Sequence, residues 1–371
     1  LRTVRVAART SSFAFRSGAV AVETAGADLG VSTVLAGAVR RAGDALQVQV
    51  RLVRVSDGTE LWSETYDREL RDVFAIQEDI AEAITRTLAG KLALEETRLA
   101  VRRPTENPTA YAVYLKGRYE GKSRRQGALL RSVECYDRAL EIVPEYALAH
   151  VGLAEAYGLL AWYRFQAPRE VFPRANMAAL QALRCDELLP EAHAAVAIVR
   201  FYYEWDWAGA ERAVTRALAL DPNEPTALHT FGELLLAQGR LQDALTHAAR
   251  ALAVEPLAPN VNASVGWIHL FNGEILDAIA QFRRTIALDP AYVFGHWFLG
   301  QAHLVSGEPD AACDAFRTGV DETNGHPGLL AYLGYTCARV GEGEETRAIL
   351  QELRQRAAGQ YVPADYFAVL H

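Results

Sequence analysis

Three short segments decide the fold: ALALDP at residues 217–222, ALAVEP at 251–256 and TIALDP at 285–290. Their closing prolines follow one another at a constant spacing of 34 residues. The apolar residues before each proline have helical spacing, and the proline ends the helix because it lacks the backbone N–H that the next turn needs. The sequence therefore predicts a series of similar helical units.

The same period governs the small and aromatic residues around these segments. Glycines recur at Gly232, Gly266, Gly300 and Gly334, and alanines follow twelve residues later at Ala244, Ala278 and Ala312. Phe282 and Phe316 lie one helical turn beyond the last two alanines and are predicted to pack between consecutive hairpins. A period of 34 residues built from two helices is typical of tetratricopeptide repeats.

This resemblance implies a mainly α fold, a right-handed superhelical solenoid of tetratricopeptide repeats. We assign the repeat array to residues 109–371, with about seven hairpins and an unpaired last helix, and a linker to residues 99–108. Residues 1–98 are predicted to form a small α/β domain. The lengthened segment AWYRFQAPREVFP, at residues 161–173, is interpreted as a loop because Pro168 and Pro173 interrupt it.

Alternating apolar and polar residues predict a sheet near the amino terminus. The segment ALQVQVRLVRV, residues 45–55, alternates as a half-buried strand does. Residues 31–39 and 60–70 have a similar pattern and are separated from it by glycine-containing turns, so an antiparallel meander of three strands is expected. An amphipathic helix from Val73 to about Leu92 should cover one face of that sheet.

The same residues carry a second resemblance. The segments ARTSSFAF (8–15), ADLGVSTVLAGAVRRAGDALQVQVRLV (27–53), GTELWSETYDREL (58–70) and DVFAIQEDIA (72–81) are similar to the TolB-like amino-terminal domain. Members of that family begin with a further strand and helix, so the domain is expected to be truncated here. The resemblance also implies an effector domain upstream in the full-length protein: a class III adenylate cyclase, a protein kinase or a winged-helix regulator.

A solenoid of this kind presents a concave surface lined by the first helix of each repeat. Projection of the period places eight side chains in that groove: Asn260, Ser264, Trp267, Trp297, Phe298, Gln301, Tyr332 and Tyr335. Aromatic rings with a few amides are suited to a protein or an extended peptide ligand. The alternative is that several of these side chains pack between neighbouring helices.

Composition excludes several other functions. A net charge of −8 argues against nucleic-acid binding by this segment, and no apolar run approaches the length of a membrane span. The four cysteines are far apart and form no C-x-x-C pair, so buried thiols are expected and no metal is predicted. The histidines recur at repeat positions and are interpreted as structural. We find no catalytic motif and no cofactor motif.

The sequence thus favours a non-catalytic protein-binding or peptide-binding module, a scaffold or sensor of a bacterial signalling protein. We expect it to be cytoplasmic, with the periplasm as the alternative. A second hypothesis is a stand-alone assembly factor of the cell envelope. A third is a fragment of an adenylate cyclase-type enzyme whose catalytic domain lies outside these residues.

Overall fold

The computed structural model describes residues 7, 9–12, 15, 20–43, 45–69, 73–89 and 105–370. The amino-terminal unit contains helices α1 (Arg9–Ser12), α2 (Val22–Leu29) and α3 (Val73–Ala89), and strands β1 (Thr33–Ala42), β2 (Ala45–Arg54) and β3 (Glu60–Glu69). The end of the helix predicted to reach Leu92, and most of the linker predicted at residues 99–108, lie outside the described residues.

The three strands form an antiparallel meander in the order β1-β2-β3, which confirms the predicted sheet. Val48 pairs with Val39 on one side and with Tyr66 on the other. Leu46, Val48 and Tyr66 are buried on the face that α3 covers through Ile76. The strand alternation therefore produces a small apolar core between the sheet and α3.

The rest of the described chain is helical. Seven helical hairpins follow one another: α4 (Pro108–Gly121) with α5 (Gln126–Ile142), α6 (Ala147–Trp162) with α7 (Pro168–Cys185), α8 (Pro190–Val199) with α9 (Trp207–Leu220), α10 (Pro225–Ala237) with α11 (Leu241–Val254), α12 (Pro259–Phe271) with α13 (Ile275–Leu288), α14 (Val293–Val305) with α15 (Pro309–Glu322), and α16 (Pro327–Val340) with α17 (Gly343–Ala357). A short helix, α18 (Ala364–Ala368), follows. None of the helices described here is long and apolar enough to cross a bilayer.

Close approach of two helices explains the repeated glycines. A Cβ atom added to Gly300 would lie 2.4 Å from the Phe316 ring, and one added to Gly266 would lie 2.6 Å from the Phe282 ring. Both phenylalanines are fully buried, and so are Ala278 and the other alanines of the period. Glycine on the first helix thus makes room for a phenylalanine on the second, as the spacing predicts.

The early hairpins depart from this regularity. A π-helical turn at Arg200–Glu204 extends α8. The loop predicted at residues 161–173 is shorter than expected, because α7 begins at Pro168 and contains Pro173. That prediction was wrong because Pro168 occupies the first position of the helix, where its missing N–H has no partner to lose, and the helix continues through Pro173. Residues 163–167 form the segment that joins α6 to α7.

This joining segment contacts hairpins that lie much later in the chain. The Tyr163 ring lies 5.2 Å from the ring of Phe294 on α14, and the Tyr163 carbonyl lies 3.2 Å from Nε2 of His326, just before α16. The Arg124 guanidinium donates a hydrogen bond of 2.9 Å to Asn260 Oδ1 on α12. The first two hairpins therefore meet the last three, although a repeat in an ordinary solenoid contacts only its neighbours.

Candidate partner-binding surface

The eight predicted groove residues lie on α12, α14 and α16, the first helices of three consecutive hairpins. Seven are partly exposed and Ser264 is buried. Helix α12 contacts α14, and α14 contacts α16, so the three helices form one continuous surface. The structure separates the eight side chains into a group that contacts other parts of the chain and a group that faces outward.

Three of the aromatic residues belong mainly to packing between helices. The Trp297 ring lies 5.0 Å from the Tyr332 ring and 6.0 Å from that of Tyr366, which is buried on α18. Phe298 lies 5.7 Å from Phe294. These distances are typical of aromatic pairs in protein interiors. Trp297, Phe298 and Tyr332 thus hold the last hairpins and α18 together.

The polar residues of the group are also engaged within the chain. Asn260 accepts the hydrogen bond from Arg124. Ser264 Oγ donates to Glu233 Oε1 at 2.8 Å and lies 2.9 Å from His229 Nε2. Tyr202 donates to the other oxygen of Glu233. Burial, together with this carboxylate, raises the pKa of Tyr202 well above its usual value, so the phenol keeps its proton and the hydrogen bond.

Serine, histidine and glutamate meet here without the geometry of a catalytic triad. Glu233 Oε1 lies 3.6 Å from His229 Nε2, the same nitrogen that contacts Ser264. A triad needs the carboxylate on the opposite ring nitrogen, where it orients the imidazole as a base. Since Ser264 donates its proton to Glu233, its hydroxyl is held as a structural donor. The cluster acts as a polar brace between α10 and α12.

The outward-facing residues form a regular array, which we name the ladder: Trp267, Phe271, Gln301, Val305, Tyr335 and Arg339. Each of the three helices contributes two of them, four residues apart and therefore on one helical face. Phe271 is 59 % exposed and Val305 is 63 % exposed. Large apolar side chains exposed at one repeat position after another are the mark of an interaction surface.

Contacts within the ladder hold its aromatic side chains in place. Trp267 lies 4.9 Å from Phe271 and 4.2 Å from Phe298, so its ring is supported from beneath while one edge stays open. Arg339 donates a hydrogen bond of 2.9 Å to the Tyr335 hydroxyl, and its guanidinium carbon lies 5.7 Å from the centre of that ring. Side chains ordered before binding lose less entropy when a partner arrives.

Projection of the period did not identify Phe271, Val305 and Arg339. Their signal was present, since they follow Trp267, Gln301 and Tyr335 by four residues and recur at the same spacing of 34. The contacts of residues 162–165 with the opposite hairpins have no such signal. Only the curvature of the solenoid brings these residues to Phe294 and His326.

A cavity of about 230 Å³ lies where the first hairpin meets the later ones. Arg124, Tyr163, Asp289, Glu322 and His326 line it, so groups of both charges face the same space. Binding pockets for small molecules are usually larger and mainly apolar, about 300–1,000 Å³. The cavity is accordingly a weaker candidate site than the ladder.

The five histidines that recur at repeat positions all make contacts within the chain. His150, His193 and His296 each hydrogen-bond the carbonyl six residues earlier, at 2.9, 2.9 and 2.8 Å. His269 and His303 each pair with the glutamate five residues later, Glu274 and Glu308. The repeated geometry fixes the start or the end of a helix in successive hairpins. None of these five side chains belongs to the ladder.

Comparison with known proteins agrees with the fold. Residues 204–268 and 265–327 match the tetratricopeptide repeat family. The structure of human IFIT1, determined as a dimer with m7Gppp-AAAA, aligns with a TM-score of 0.58 and 15% identity over 78% of this chain and 65% of that chain. PilW, described as a widely conserved type IV pilus biogenesis factor, gives a TM-score of 0.46 and 17% identity over 59% of this chain and 98% of that chain.

One curated relative is similar in sequence. "Putative adenylate cyclase 3" of Rhizobium meliloti (strain 1021) is 32% identical over 149 residues, which are 40% of this chain. The aligned part is 25% of that protein, so the chain spans about a quarter of its relative's length. With the observed hairpins and the repeat matches, we conclude that this chain folds as a tetratricopeptide-type solenoid behind a small antiparallel sheet.

Proposed function

We propose that the chain is a non-catalytic scaffold or sensor that binds an extended segment of another protein along the ladder. The observation that carries this proposal is the exposure of Phe271 and Val305 at one position of consecutive repeats. The concave surface of a solenoid is a natural binding surface, and the ladder lies on the helices that line it.

The spacing of the ladder suits an extended ligand. Packed helices lie about 8–10 Å apart, and an extended chain rises about 3.3 Å per residue. Each helix therefore spans about three residues of ligand, and three helices span about nine. The Trp267–Phe271 and Gln301–Val305 pairs would contact apolar side chains, while Arg339 favours a carboxylate at the α16 end.

This site refines the predicted groove. Trp267, Gln301 and Tyr335 remain proposed ligand-contacting residues. Trp297, Phe298 and Tyr332 support them from beneath, and Asn260 and Ser264 brace the groove through Arg124 and Glu233.

Selection of peptides from a random library on the purified chain, followed by fluorescence anisotropy, tests the ladder. Phe271→Asp should weaken the selected peptides at least about tenfold, because a charge replaces an apolar contact. Leu276→Asp is the matched control, since Leu276 is 82 % exposed on α13, outside the ladder. Equal losses in both variants, or none in Phe271→Asp, would contradict the assignment.

We further propose that the scaffold serves a bacterial signalling protein in the cytoplasm and that its amino-terminal unit is a TolB-like domain. The similarity to a protein named as an adenylate cyclase supports this link. In the gene, a cyclase, kinase or winged-helix domain encoded in frame before Leu1 is the expected result. A secretion signal directly before Leu1 would instead favour a cell-envelope factor.

A further inference from the structure

Two cysteines and a carboxylate meet near the carboxyl end of the solenoid. Cys313 lies on α15, Cys337 on α16, and Glu342 at the turn before α17. The two sulfur atoms and a carboxylate oxygen of Glu342 all lie within 4.8 Å of one another. Cys337 is fully buried, Cys313 is nearly so, and Glu342 opens to solvent.

The turn between α16 and α17 builds this cluster. Gly341 ends α16 with φ of +91°, a conformation that glycine adopts without steric cost. The backbone N–H of Glu342 then donates a hydrogen bond of 2.8 Å to the Cys337 carbonyl. That bond fixes the start of the Glu342 side chain above the Cys337 thiol, while packing of α15 on α16 brings Cys313 alongside.

The three ligands suit a thiophilic divalent cation. Tetrahedral Zn²⁺ takes sulfur at about 2.3 Å and carboxylate oxygen at about 2.0–2.2 Å, which places two bound sulfurs about 3.8 Å apart. The three ligand atoms lie within 4.8 Å of one another here, so an ion bound between them would draw them closer together. The exposed side of Glu342 leaves room for water as a fourth ligand, in the manner of an open zinc site.

Charge around the cluster is consistent with a bound cation. Two thiolates and a carboxylate carry three negative charges, so a divalent ion leaves one in excess. Arg317 lies 3.6 Å from Glu342 and 3.2 Å from Glu345, so its single positive charge is shared and the surroundings of the cluster stay negative. Asp314 on α15 also pairs with Arg317, at 3.6 Å.

Without a cation both thiols keep their protons. Burial raises the pKa of Cys337, and Glu342 and Cys313 raise it further. Burial likewise raises the pKa of Cys313. A bound cation takes both sulfurs as thiolates, so each thiol releases its proton to solvent on binding.

We infer that Cys313, Cys337 and Glu342 form a Zn²⁺ site that ties α15, α16 and the start of α17 together. The site is independent of the ladder and of the partner proposed for it. A bound ion cross-links the last two hairpins, since the three ligands come from three successive helical segments.

Titration of the intact chain with Co²⁺ under a phosphine reductant tests the site. One equivalent should produce the near-ultraviolet absorption of thiolate-to-cobalt charge transfer, and Zn²⁺ should abolish it. The double variant Cys135→Ser/Cys185→Ser is the control, because these thiols lie on α5 and α7. It should keep the full signal.

Ligand variants decide the assignment. Cys313→Ser and Cys337→Ser should each remove a large part of the charge-transfer band. Glu342→Gln, at a half-exposed position, should retain the fold and the band but weaken Co²⁺ at least about tenfold. Absence of the band in the control variant, or its persistence in Cys313→Ser/Cys337→Ser, would overturn the proposal.

Discussion

The solenoid has two halves that differ in the residue at the turn between the two helices of a hairpin. In the regular half, residues 225–357, the two helices of each hairpin are joined at a glycine with positive φ: Gly239, Gly273, Gly307 and Gly341. In the irregular half, residues 108–220, the residues with positive φ are Arg124, Arg164 and Trp205. A side chain in this conformation costs about 1–2 kcal/mol, which glycine avoids.

Two of the three strained residues of the irregular half make contacts beyond their own hairpin. Arg124 reaches Asn260, and Arg164 lies 4.0 Å from Asp365 near the end of the chain. Trp205 stacks on Trp207 with the ring centres 6.2 Å apart. Backbone strain of this kind persists where the surrounding contacts determine the conformation. The regular half therefore carries the ladder, and the irregular half supplies the contacts that link the first hairpins to the last ones.

Loss of a phenylalanine ring that recurs with the 34-residue period should have the largest effect on the free energy of unfolding. Phe316→Ala is expected to lower the free energy of unfolding by about 3–5 kcal/mol, because a fully buried ring leaves a cavity. Urea denaturation followed by circular dichroism measures the change. Phe271→Ala is the matched control, since that ring is more than half exposed. Similar losses in both variants would show that the repeat position does not decide burial.

Removal of the Tyr163 ring, which contacts Phe294 of a distant hairpin, should lower the free energy of unfolding somewhat less than the loss of Phe316. Tyr163→Ala is expected to destabilise the chain by about 3 kcal/mol and to separate the two halves, because Tyr163 is buried against Phe294. Small-angle scattering should then record a larger radius of gyration. Trp205→Ala, at a residue 73 % exposed, should change neither quantity. An unchanged radius of gyration in Tyr163→Ala would show that this ring does not hold the two halves together.

The contact between the segment at residues 163–167 and the last hairpin should also depend on pH, through His326. Its Nδ1 accepts a hydrogen bond from the Gly328 N–H, and its Nε2 faces the Tyr163 carbonyl, an arrangement that requires the neutral ring. Burial lowers the pKa of His326 from 6.5 to about 4, and Arg356 contributes in the same direction. Between these values the unfolded chain binds a proton that the folded chain does not.

The contribution of His326 is therefore complete above pH 6.5 and is lost as pH falls towards 4. The expected loss is on the order of 3 kcal/mol. Unfolding by urea at several pH values measures it, and His326→Gln should flatten the curve in this window. An equal slope in the variant would assign the dependence to other groups.

Glycine at the regular turns should give the smallest change. Gly273 has φ of +79°, so Gly273→Ala is expected to cost about 1 kcal/mol through backbone strain alone. No atom would contact the added methyl group. Gly359→Ala is the control, since Gly359 also has open space around it but no positive φ. Thermal denaturation of the two variants should separate them by a few degrees.

Periodicity made most of the fold predictable. The 34-residue spacing located the fully buried Phe282, Phe316 and Ala278 before any coordinates. Alternation located the three strands to within a few residues. Both patterns are local, because the spacing of apolar residues states directly which face of a helix or strand is buried. The loop at residues 161–173 was overestimated because proline can also begin a helix.

The candidate site was predictable only in part. Trp267, Gln301 and Tyr335 follow from the period, and the period also contains Phe271 and Val305. Which of these aromatic residues remains exposed depends on what packs above it. Trp297 and Tyr332 are aromatic residues on the same set of helices as Trp267. Tyr366 from α18 nevertheless lies against Trp297, so Trp297 takes part in packing within the chain.

The sequence by itself determined the repeat unit, its close helix contacts and the antiparallel sheet, since each depends on residues near in sequence or at a fixed period. Tertiary structure alone decided the contact of Tyr163 with Phe294 and the meeting of Cys313 with Cys337 and Glu342. These contacts join residues without a common period. They arise from the accumulated curvature of the solenoid and from the packing of α15 on α16, which no local pattern encodes.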